Sequence, residues 1–289
     1  MNIINELEQA LDYMEKNLLT PITHEDVAKY IYMSNYHFHR TFSLVAGISP
    51  TEYIRKRRLS LAGQEIVGSS LKIVDLSQKY CYETPESFSK AFTRFHGISP
   101  SKARKIGNNL QIYAPLRIKL SLEGGNSLEY RIEEREPFTL VTKKKSFNND
   151  VISEENNTEI PDFWKECGVN KVFNQIEKYA KQTELYGVCA PISKESTTFD
   201  YGIGMLYEGE GNDIPSDLNV WHVKTTLWAV FKCIGTEADC IAKTWNQIFT
   251  EFLPTAKYTM LDDSDFEFYS ENLDADCFCE IWIPVKKNK

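Results

Sequence analysis

The sequence predicts two domains: an all-α domain with two helix-turn-helix units, followed by an α+β domain of two repeated strand-helix-strand-strand units. Three observations lead to this prediction. The chain has 289 residues, which is enough for two domains of common size. A group of residues recurs with a 50-residue displacement in its first third. Near residue 107 the hydrophobic pattern changes from helical spacing to strand alternation.

The composition excludes several classes of protein. Hydrophobic residues make up 42% and charged residues 26%, as in chains that bury a core. Mean hydropathy is −0.40, and no apolar run approaches the ~20 residues that cross a bilayer. The N-terminus is acidic where a signal peptide needs a basic start, and the seven cysteines have no disulfide-framework spacing. We therefore expect a cytoplasmic protein with reduced thiols and no membrane partner.

The first domain opens with a predicted helix whose apolar residues recur at three- and four-residue steps from Ile3 to Leu18. Two copies of the repeat follow. They consist of Phe38, Phe42, Gly47, Ile48, Ser49 and Pro50, and of Phe88, Phe92, Gly97, Ile98, Ser99 and Pro100. Each copy predicts a helix that ends at Gly, with Ser-Pro starting the next one. A short amphipathic segment precedes each copy, so each forms a helix-turn-helix.

A basic segment lies between the two units. Apolar residues from Tyr53 to Ile66 can supply a buried face, whereas Arg55, Lys56, Arg57 and Arg58 place four cations within about one helical turn. Taken alone, such a run is as well explained by a solvated helix face. Between two helix-turn-helix units it predicts contacts with phosphate groups.

The chain has paired Gly-Ile-Ser-Pro ends, the cores FHRTF and FSKAF, and a basic linking helix. In these features residues 3–106 resemble the DNA-binding domain of the AraC/XylS family. The resemblance implies seven helices, with the second helix of each unit in a major groove of promoter DNA. These reading helices would run from Ser34 to Phe42 and from Thr84 to Phe92. The residues that would meet DNA are Asn35, Tyr36, His39 and Arg40, then Thr84, Glu86, Ser87, Ser89 and Lys90, with Arg55, Arg57 and Arg58 of the linking helix.

The first reading helix has the stronger chemistry for base recognition. Arg40 can donate two hydrogen bonds to guanine, and Tyr36 can pack on a thymine methyl group. Because both reading helices lie in one chain, we expect a monomer to bind an asymmetric site. The sequence departs from the family at Tyr32 and Cys81, which stand where relatives usually have Gly in the turn. A positive φ there would carry a steric cost.

The net charge of the chain changes sign at the same place where the hydrophobic periodicity changes. Residues 1–107 carry 14 Lys and Arg against 11 Asp and Glu, a net charge of +3, and the rest carries 19 against 30, a net charge of −11. A basic half beside an acidic half suggests that nucleic acid approaches only the first. We expect a DNA-binding domain over 1–107, a linker and first strand region over 108–127, and an effector-binding domain over 128–289.

Strand patterns dominate the second domain. Strands are predicted at 128–136 and 139–147, a helix at about 162–181, and strands at 185–192 and 199–207. The order then repeats, with a strand stretch at 220–235, a helix at about 237–252, and strands at 266–270 and 277–285. The length and the ending EIWIPV resemble the GyrI-like ligand-binding domain, and its union with an AraC-type domain resembles Rob-like regulators.

The last predicted strand suggests a binding pocket. Alternation places Phe278, Glu280 and Trp282 on one face, with a carboxylate between two aromatic rings. This composition suits a hydrophobic cation. Alternatively, Glu280 is paired with a Lys or a backbone donor, or lies in solvent. The resemblance implies the pocket role. Further rings that could share the cavity are Tyr201, Tyr207, Trp164, Trp228 and Tyr269.

No catalytic or metal-binding motif is recognisable, so we expect neither a cofactor nor an enzyme. The sequence predicts a DNA-binding transcription regulator that acts at promoters and senses a small hydrophobic ligand, which we expect to be cationic. RNA polymerase is a further expected partner. Two alternatives stay open for the second domain. It could dock another protein, or it could be a hydrolase that uses Glu280 and Glu267.

Overall fold

The computed structural model describes residues 3–118, 128–149, 158–209 and 214–288. The first part of the chain is helical, as predicted. Its helices are α1 (Ile3–Lys16), α2 (His24–Tyr30), α3 (Asn35–Ala46), α4 (Pro50–Ile66), α5 (Ile73–Lys79), α6 (Pro85–His96) and α7 (Pro100–Ala103). The four repeated phenylalanines are buried, as the helical spacing predicts. Residues 108–118 have no regular secondary structure, and 119–127 of the expected linker lie outside the described residues.

The repeated Gly-Ile-Ser-Pro segments have a local physical explanation. Gly47 and Gly97 adopt the left-handed conformation, with φ of 70° and 78°, and so end α3 and α6. The serine that follows is the N-cap of the next helix, and proline occupies that helix's first turn, where its missing N–H costs nothing. The repeat is therefore a stop signal joined to a start signal.

The turns that precede the two reading helices are left-handed although they lack glycine. Tyr32 has φ of 60° and Cys81 has φ of 62°. A Cβ atom in this region approaches the following carbonyl oxygen, at a cost of roughly 1–2 kcal/mol. The turns therefore keep the geometry that the family resemblance implies and carry the predicted steric cost.

The second part of the chain is an antiparallel sheet with helices. Its strands are β1 (Tyr130–Glu134), β2 (Phe138–Asn148), β3 (Leu185–Pro191), β4 (Thr198–Leu206), β5 (Asn219–Val223), β6 (Leu227–Ile234), β7 (Tyr258–Met260), β8 (Asp265–Tyr269) and β9 (Cys277–Lys287). Its helices are α8 (Glu159–Val169), α9 (Val172–Glu177), α10 (Asp239–Gln247) and α11 (Leu253–Thr255), with a π-helical turn over Ile248–Phe252. The helix predicted at 162–181 is divided into α8 and α9, because Lys171 between them adopts the left-handed backbone conformation. The strand stretch predicted at 220–235 forms two strands, β5 and β6.

The sheet order shows the predicted internal repeat. The path is β1-β6-β9-β8-β3-β4-β2-β5, and β7 pairs with β9. The strands β2, β3 and β4 of the first copy mirror β6, β8 and β9 of the second, with β3 beside β8 at the centre. Each copy is preceded by a strand that pairs with the other copy, since β1 joins β6 and β5 joins β2.

The compact units of the fold do not follow chain order. One unit, the sheet unit, comprises Ile3, Met33–Gly47 and the described residues of Leu122–Lys289. The other, the helical unit, comprises Ile4–Tyr32 and the described residues of Ile48–Ser121. The helix α3, which the sequence assigns to the first domain, thus packs with the second. Within the described residues, no helix combines the length and hydrophobicity needed to cross a membrane.

Candidate functional site

The helix α3 is fixed to the sheet unit at its N-terminus. Its N-cap Ser34 accepts a hydrogen bond from the backbone of His37 and donates one of 2.6 Å to Asp262. The backbone N–H of Asn35 donates to the Lys194 carbonyl at 2.8 Å, and its side-chain amide donates to the Ser196 carbonyl at 3.1 Å. A polar N-cap and a helix side chain therefore serve as anchors here.

A cavity of about 630 Å³ lies in the sheet unit, on the face of the sheet that carries the helices. Three helices contribute to it, together with the strands β3, β4, β8 and β9. The lining residues include Tyr36, Arg40 and Leu44 of α3, Ile160, Pro161 and Trp164 of α8, Ile241, Ala242 and Trp245 of α10, and Gly187, Cys189, Phe199, Tyr201, Asp265, Glu267, Tyr269 and Phe278. This lining is largely apolar, with two carboxylates, so it suits an organic cation.

Arg40 lies inside this cavity wall with 8% of its surface exposed. Its guanidinium donates to Asp265 at 2.8 Å and to the Tyr36 hydroxyl at 2.7 Å. It also lies 3.8 Å from the ring centre of Trp245, which is a close cation–π contact. Burial alone would lower the pKa of Arg40, but Asp265 and neighbouring groups outweigh it, so the pKa is raised and the side chain is charged.

Glu267 forms the second polar group of the cavity. Its Oε2 accepts hydrogen bonds from Tyr201 at 3.0 Å and from Tyr269 at 3.1 Å, and the Trp164 indole donates to the Tyr201 hydroxyl at 2.9 Å. Among the described residues no Lys or Arg forms an ion pair with this carboxylate, whereas Asp265 has Arg40. Burial raises the pKa of Glu267, and the two tyrosine hydrogen bonds oppose that shift.

The predicted carboxylate Glu280 does not line the cavity, which corrects the expectation from strand alternation. Arg131 binds it with two hydrogen bonds of 2.7 and 2.8 Å, and the Trp282 indole donates to it at 3.1 Å. Glu280 lies opposite Phe268 in the β8–β9 register, whereas Glu267 lies opposite Ile281. The two glutamates are therefore on opposite faces of the sheet, and the cavity is on the face of Glu267.

The predicted aromatic residues divide between the two faces. Trp164, Tyr201, Tyr269 and Phe278 line the cavity. Trp228 and Trp282 pack together in the core on the opposite face, and Tyr207 is buried beside the cavity face without lining it. Phe278 leaves the face of Glu280 because the pairing of β6 with β9 shifts register beside Cys279, which reverses the alternation.

The residues of α3 that the sequence assigns to DNA contact do not lie at an open surface. Asn35, Tyr36, His39 and Arg40 are all buried in this structure. Tyr36 contacts the Cys189 thiol at 2.8 Å, and Arg40 is bound as described above. Burial raises the pKa of Cys189, so this lining group is a neutral thiol. In this conformation these four side chains bind to or lie against protein.

The linking helix α4 uses part of its basic run within the helical unit. Arg57 is 6% exposed, and its guanidinium binds Glu15 through two hydrogen bonds of 2.8 Å and also donates to the Tyr113 carbonyl. Arg58 donates to the carbonyls of Leu18 and Thr20. These two predicted phosphate contacts are therefore internal bonds. Arg55 is more exposed and pairs with a glutamate one turn earlier in its own helix.

The second reading helix, α6, presents its polar face to solvent. Phe88 and Phe92 are buried, and the exposed predicted residues are Thr84, Glu86, Ser87 and Lys90, with Ser89 partly exposed. Thr84 is the N-cap, so its hydroxyl accepts the Ser87 N–H at 3.1 Å. Lys90 and Arg94 stand one turn apart on the exposed face.

The sequence analysis does not identify several residues of these sites. It does not name Asp265, and it assigns Glu267 only to the hydrolase alternative, although the alternation Asp265, Glu267, Tyr269 places all three on one strand face. Trp245 of α10 and Arg94 of α6 were also missed. The signal for Arg94 was its four-residue distance from Lys90, whereas nothing in the sequence connects Trp245 with Arg40.

Two family models match separate parts of the chain. The family described as integron-associated effector binding protein matches residues 131–285, and a helix-turn-helix domain matches residues 27–106. The HTH-type transcriptional activator AarP of Providencia stuartii is 34% identical over 103 residues, which are 36% of this chain and 74% of AarP. The lactose operon transcription activator of Staphylococcus xylosus is 36% identical over 105 residues, which are 36% of this chain but only 38% of that activator. A solved structure of SAV2435 bound to tetraphenylphosphonium aligns with a TM-score of 0.44 and 18% identity over 55% of this chain and 94% of that one.

Proposed function

Because the chain belongs to the integron-associated effector binding protein family and carries an AraC-type helix-turn-helix domain, we propose that this DNA-binding transcription regulator senses a hydrophobic organic cation. The effector would bind in the cavity of the sheet unit. The observation that carries this proposal is Glu267, a carboxylate among aromatic rings whose hydrogen bonds come from tyrosine hydroxyls.

The cavity chemistry favours a cation over a neutral or anionic effector. Both hydroxyls donate to Oε2 of Glu267, which leaves Oε1 without a hydrogen-bond partner among the described residues. An ionised carboxylate in a largely apolar enclosure is costly until a positive charge approaches it. The rings of Trp164, Tyr201 and Tyr269 present π-systems that attract such a charge. The volume of about 630 Å³ lies within the range of small-molecule sites.

A matched pair of probes tests the effector class. Tetraphenylphosphonium and tetraphenylborate have nearly the same shape and opposite charge, so they separate charge from hydrophobicity. We expect tetraphenylphosphonium to quench tryptophan fluorescence of the full chain with saturation and tetraphenylborate to bind at least tenfold more weakly. Equal binding of both probes contradicts the proposal. Conversion of a bound probe to product would favour the hydrolase alternative, and binding of neither would favour a protein-docking role.

The DNA-binding role is proposed for both reading helices. The exposed face of α6 supplies Lys90 and Arg94 for phosphates and Ser87 for polar contacts. The face of α3 supplies Arg40 and Asn35, whose planar groups suit guanine and adenine. Selection from a randomised 40-bp duplex library by the full chain, with tetraphenylphosphonium present, should yield two recognition blocks about 10 bp apart. Recovery of a single block would remove α3 from the proposal.

Transcription is the functional readout of both parts. We propose RNA polymerase as a further partner, because a regulator bound at a promoter changes the output of this enzyme. Run-off transcription from the selected duplex, fused upstream of a core promoter, should change when tetraphenylphosphonium is added. An identical transcript yield at all probe concentrations would contradict effector sensing.

A further inference from the structure

We infer that Arg40 is a built-in occupant of the cation site, so that an effector cation and the docked form of α3 exclude one another. Binding of the effector would then release the first reading helix for DNA. This inference rests on the proposed function and adds the means by which the two sites communicate.

The interactions of Arg40 are those that an organic cation would make. Its guanidinium is bound by a carboxylate, Asp265, at 2.8 Å and lies 3.8 Å from the Trp245 ring centre. Carboxylate pairing together with an aromatic face is the usual recognition of organic cations. Asp265 lies two residues from Glu267 on the same strand face, so Arg40 contacts one of the two acids of the cavity.

The same helix face is proposed to read DNA. Arg40 and Tyr36 line the cavity, while Asn35 is bound to the loop before β4 through the Ser196 carbonyl. Each of these side chains would have to leave its protein partner before it could reach a base edge. The docked form of α3 is therefore incompatible with base contacts by this helix, whatever DNA sequence is offered.

Competition follows from the charges. An effector cation that reaches Asp265 and Trp245 replaces the interactions of Arg40, and a second positive charge in the same enclosure repels the guanidinium. A ligand shifts a two-state equilibrium only by its preference for one state. Here the preference is for the form without Arg40, because the guanidinium lies against Asp265 and Trp245, in the same cavity and two residues along the strand from Glu267.

Amide hydrogen exchange of the full chain tests the inference directly. With saturating tetraphenylphosphonium, we expect amides of α3 to exchange at least tenfold faster, while those of α6 keep their rates. The affinity for the selected duplex should rise at least tenfold under the same conditions. Unchanged or slower exchange in α3 at saturation would overturn the inference while leaving effector binding intact.

A pair of variants tests the docking contact without effector. Asp265→Asn removes the carboxylate partner of Arg40, and we expect α3 exchange and duplex affinity to rise at least fivefold. Glu280→Gln is the matched control, because Glu280 pairs with Arg131 on the other sheet face, and it should leave both quantities unchanged. If Asp265→Asn leaves both at wild-type values, Arg40 is not what holds α3. If tetraphenylphosphonium binds neither the wild type nor Arg40→Met, the cation site itself fails, and with it the proposed function.

Discussion

Gly187 of β3 lies directly opposite Glu267 of β8, and its missing side chain leaves the space in which Tyr201 meets that glutamate. A Cβ atom on Gly187 would lie 2.8 Å from Oε2 of Glu267 and closer still to the Tyr201 hydroxyl. Contacts this short require the neighbours to move. The hydrogen bond at the centre of the cavity therefore depends on glycine at this position.

Gly187→Ala is expected to weaken tetraphenylphosphonium binding at least tenfold, because the added methyl group separates Tyr201 from Glu267. Gly168→Ala is the control. It lies in α8, where a Cβ atom meets only Phe173 at an ordinary 3.6 Å, and alanine suits a helix better than glycine. Fluorescence titration of both variants checks the expectation. Equal affinities for the two would show that the Tyr201–Glu267 bond is dispensable.

Glu267→Gln should reduce affinity for tetraphenylphosphonium at least tenfold and leave tetraphenylborate binding no weaker, since only the charge is removed. Glu280→Gln should leave both affinities within twofold. The affinity of the wild type should also fall with acidity, because the cation binds the ionised form. Since burial raises the pKa of Glu267, this loss should begin at higher pH than for an exposed glutamate. Titrations between pH 4 and 8 test this, and a pH-independent wild-type affinity would contradict it.

Acid should destabilise the sheet unit through His37 of α3. Burial lowers the pKa of His37 to about 4, although Asp262 opposes the shift, so the folded form holds this side chain neutral. The contribution is present above the unfolded pKa near 6.5 and is lost as pH falls towards 4. We expect roughly 2 kcal/mol less stability at pH 5 than at pH 7 from this group. Urea unfolding of the wild type and His37→Gln should show a smaller pH dependence in the variant, and equal dependence would exclude His37.

Cys81→Gly should stabilise the helical unit by about 0.5–1 kcal/mol, because it removes the Cβ atom from a left-handed turn. Part of the gain is offset by the greater freedom of glycine in the unfolded chain. Cys81→Ala is the control, since it removes the sulfur but keeps the Cβ atom, and it should not raise the thermal midpoint. A larger gain from alanine than from glycine would mean that the thiol, and not the backbone, limits stability.

Arg57→Ala and Arg94→Ala should separate a structural cation from a DNA contact. Arg57 is bound to Glu15, so its loss should lower stability by about 2–3 kcal/mol and leave the salt dependence of duplex binding unchanged. Arg94 is exposed on α6, so its loss should reduce the slope of log affinity against log salt by ~1 with little change in stability. Urea unfolding and duplex binding at three salt concentrations test both variants. A reduced salt slope with unchanged stability for Arg57→Ala would show that Arg57 contacts DNA.

Local signals explain how far the sequence could predict the fold. The Gly-Ile-Ser-Pro repeats carry their own helix stops and starts, and strand alternation located the two repeated copies of the sheet. The error at Glu280 arose because alternation tells which residues share a face but not which face has the cavity. The pairing of Glu267 with Ile281 places the two glutamates on opposite faces, and the helices α3, α8 and α10 decide which face has the cavity; both depend on residues far apart in the chain.

The docking of α3 could not be predicted for a related reason. The sequence of α3 is consistent with a reading helix, and the same polar residues also satisfy bonds to Asp265, Ser196 and Cys189. Each partner lies more than 150 positions away in the chain. A pattern within one helix cannot distinguish a surface that meets nucleic acid from one that meets its own protein.

The exchange of opening strands between the two copies has a consequence for synthesis on the ribosome. The first copy cannot complete its edge until β5 emerges, and β1 has no partner until β6 emerges. The strand β9, which joins β6 to β8, is synthesised after both of them. A chain truncated between the copies would expose unpaired edges that invite aggregation, so the half-length fragment should be a substrate for chaperones and not a smaller working domain.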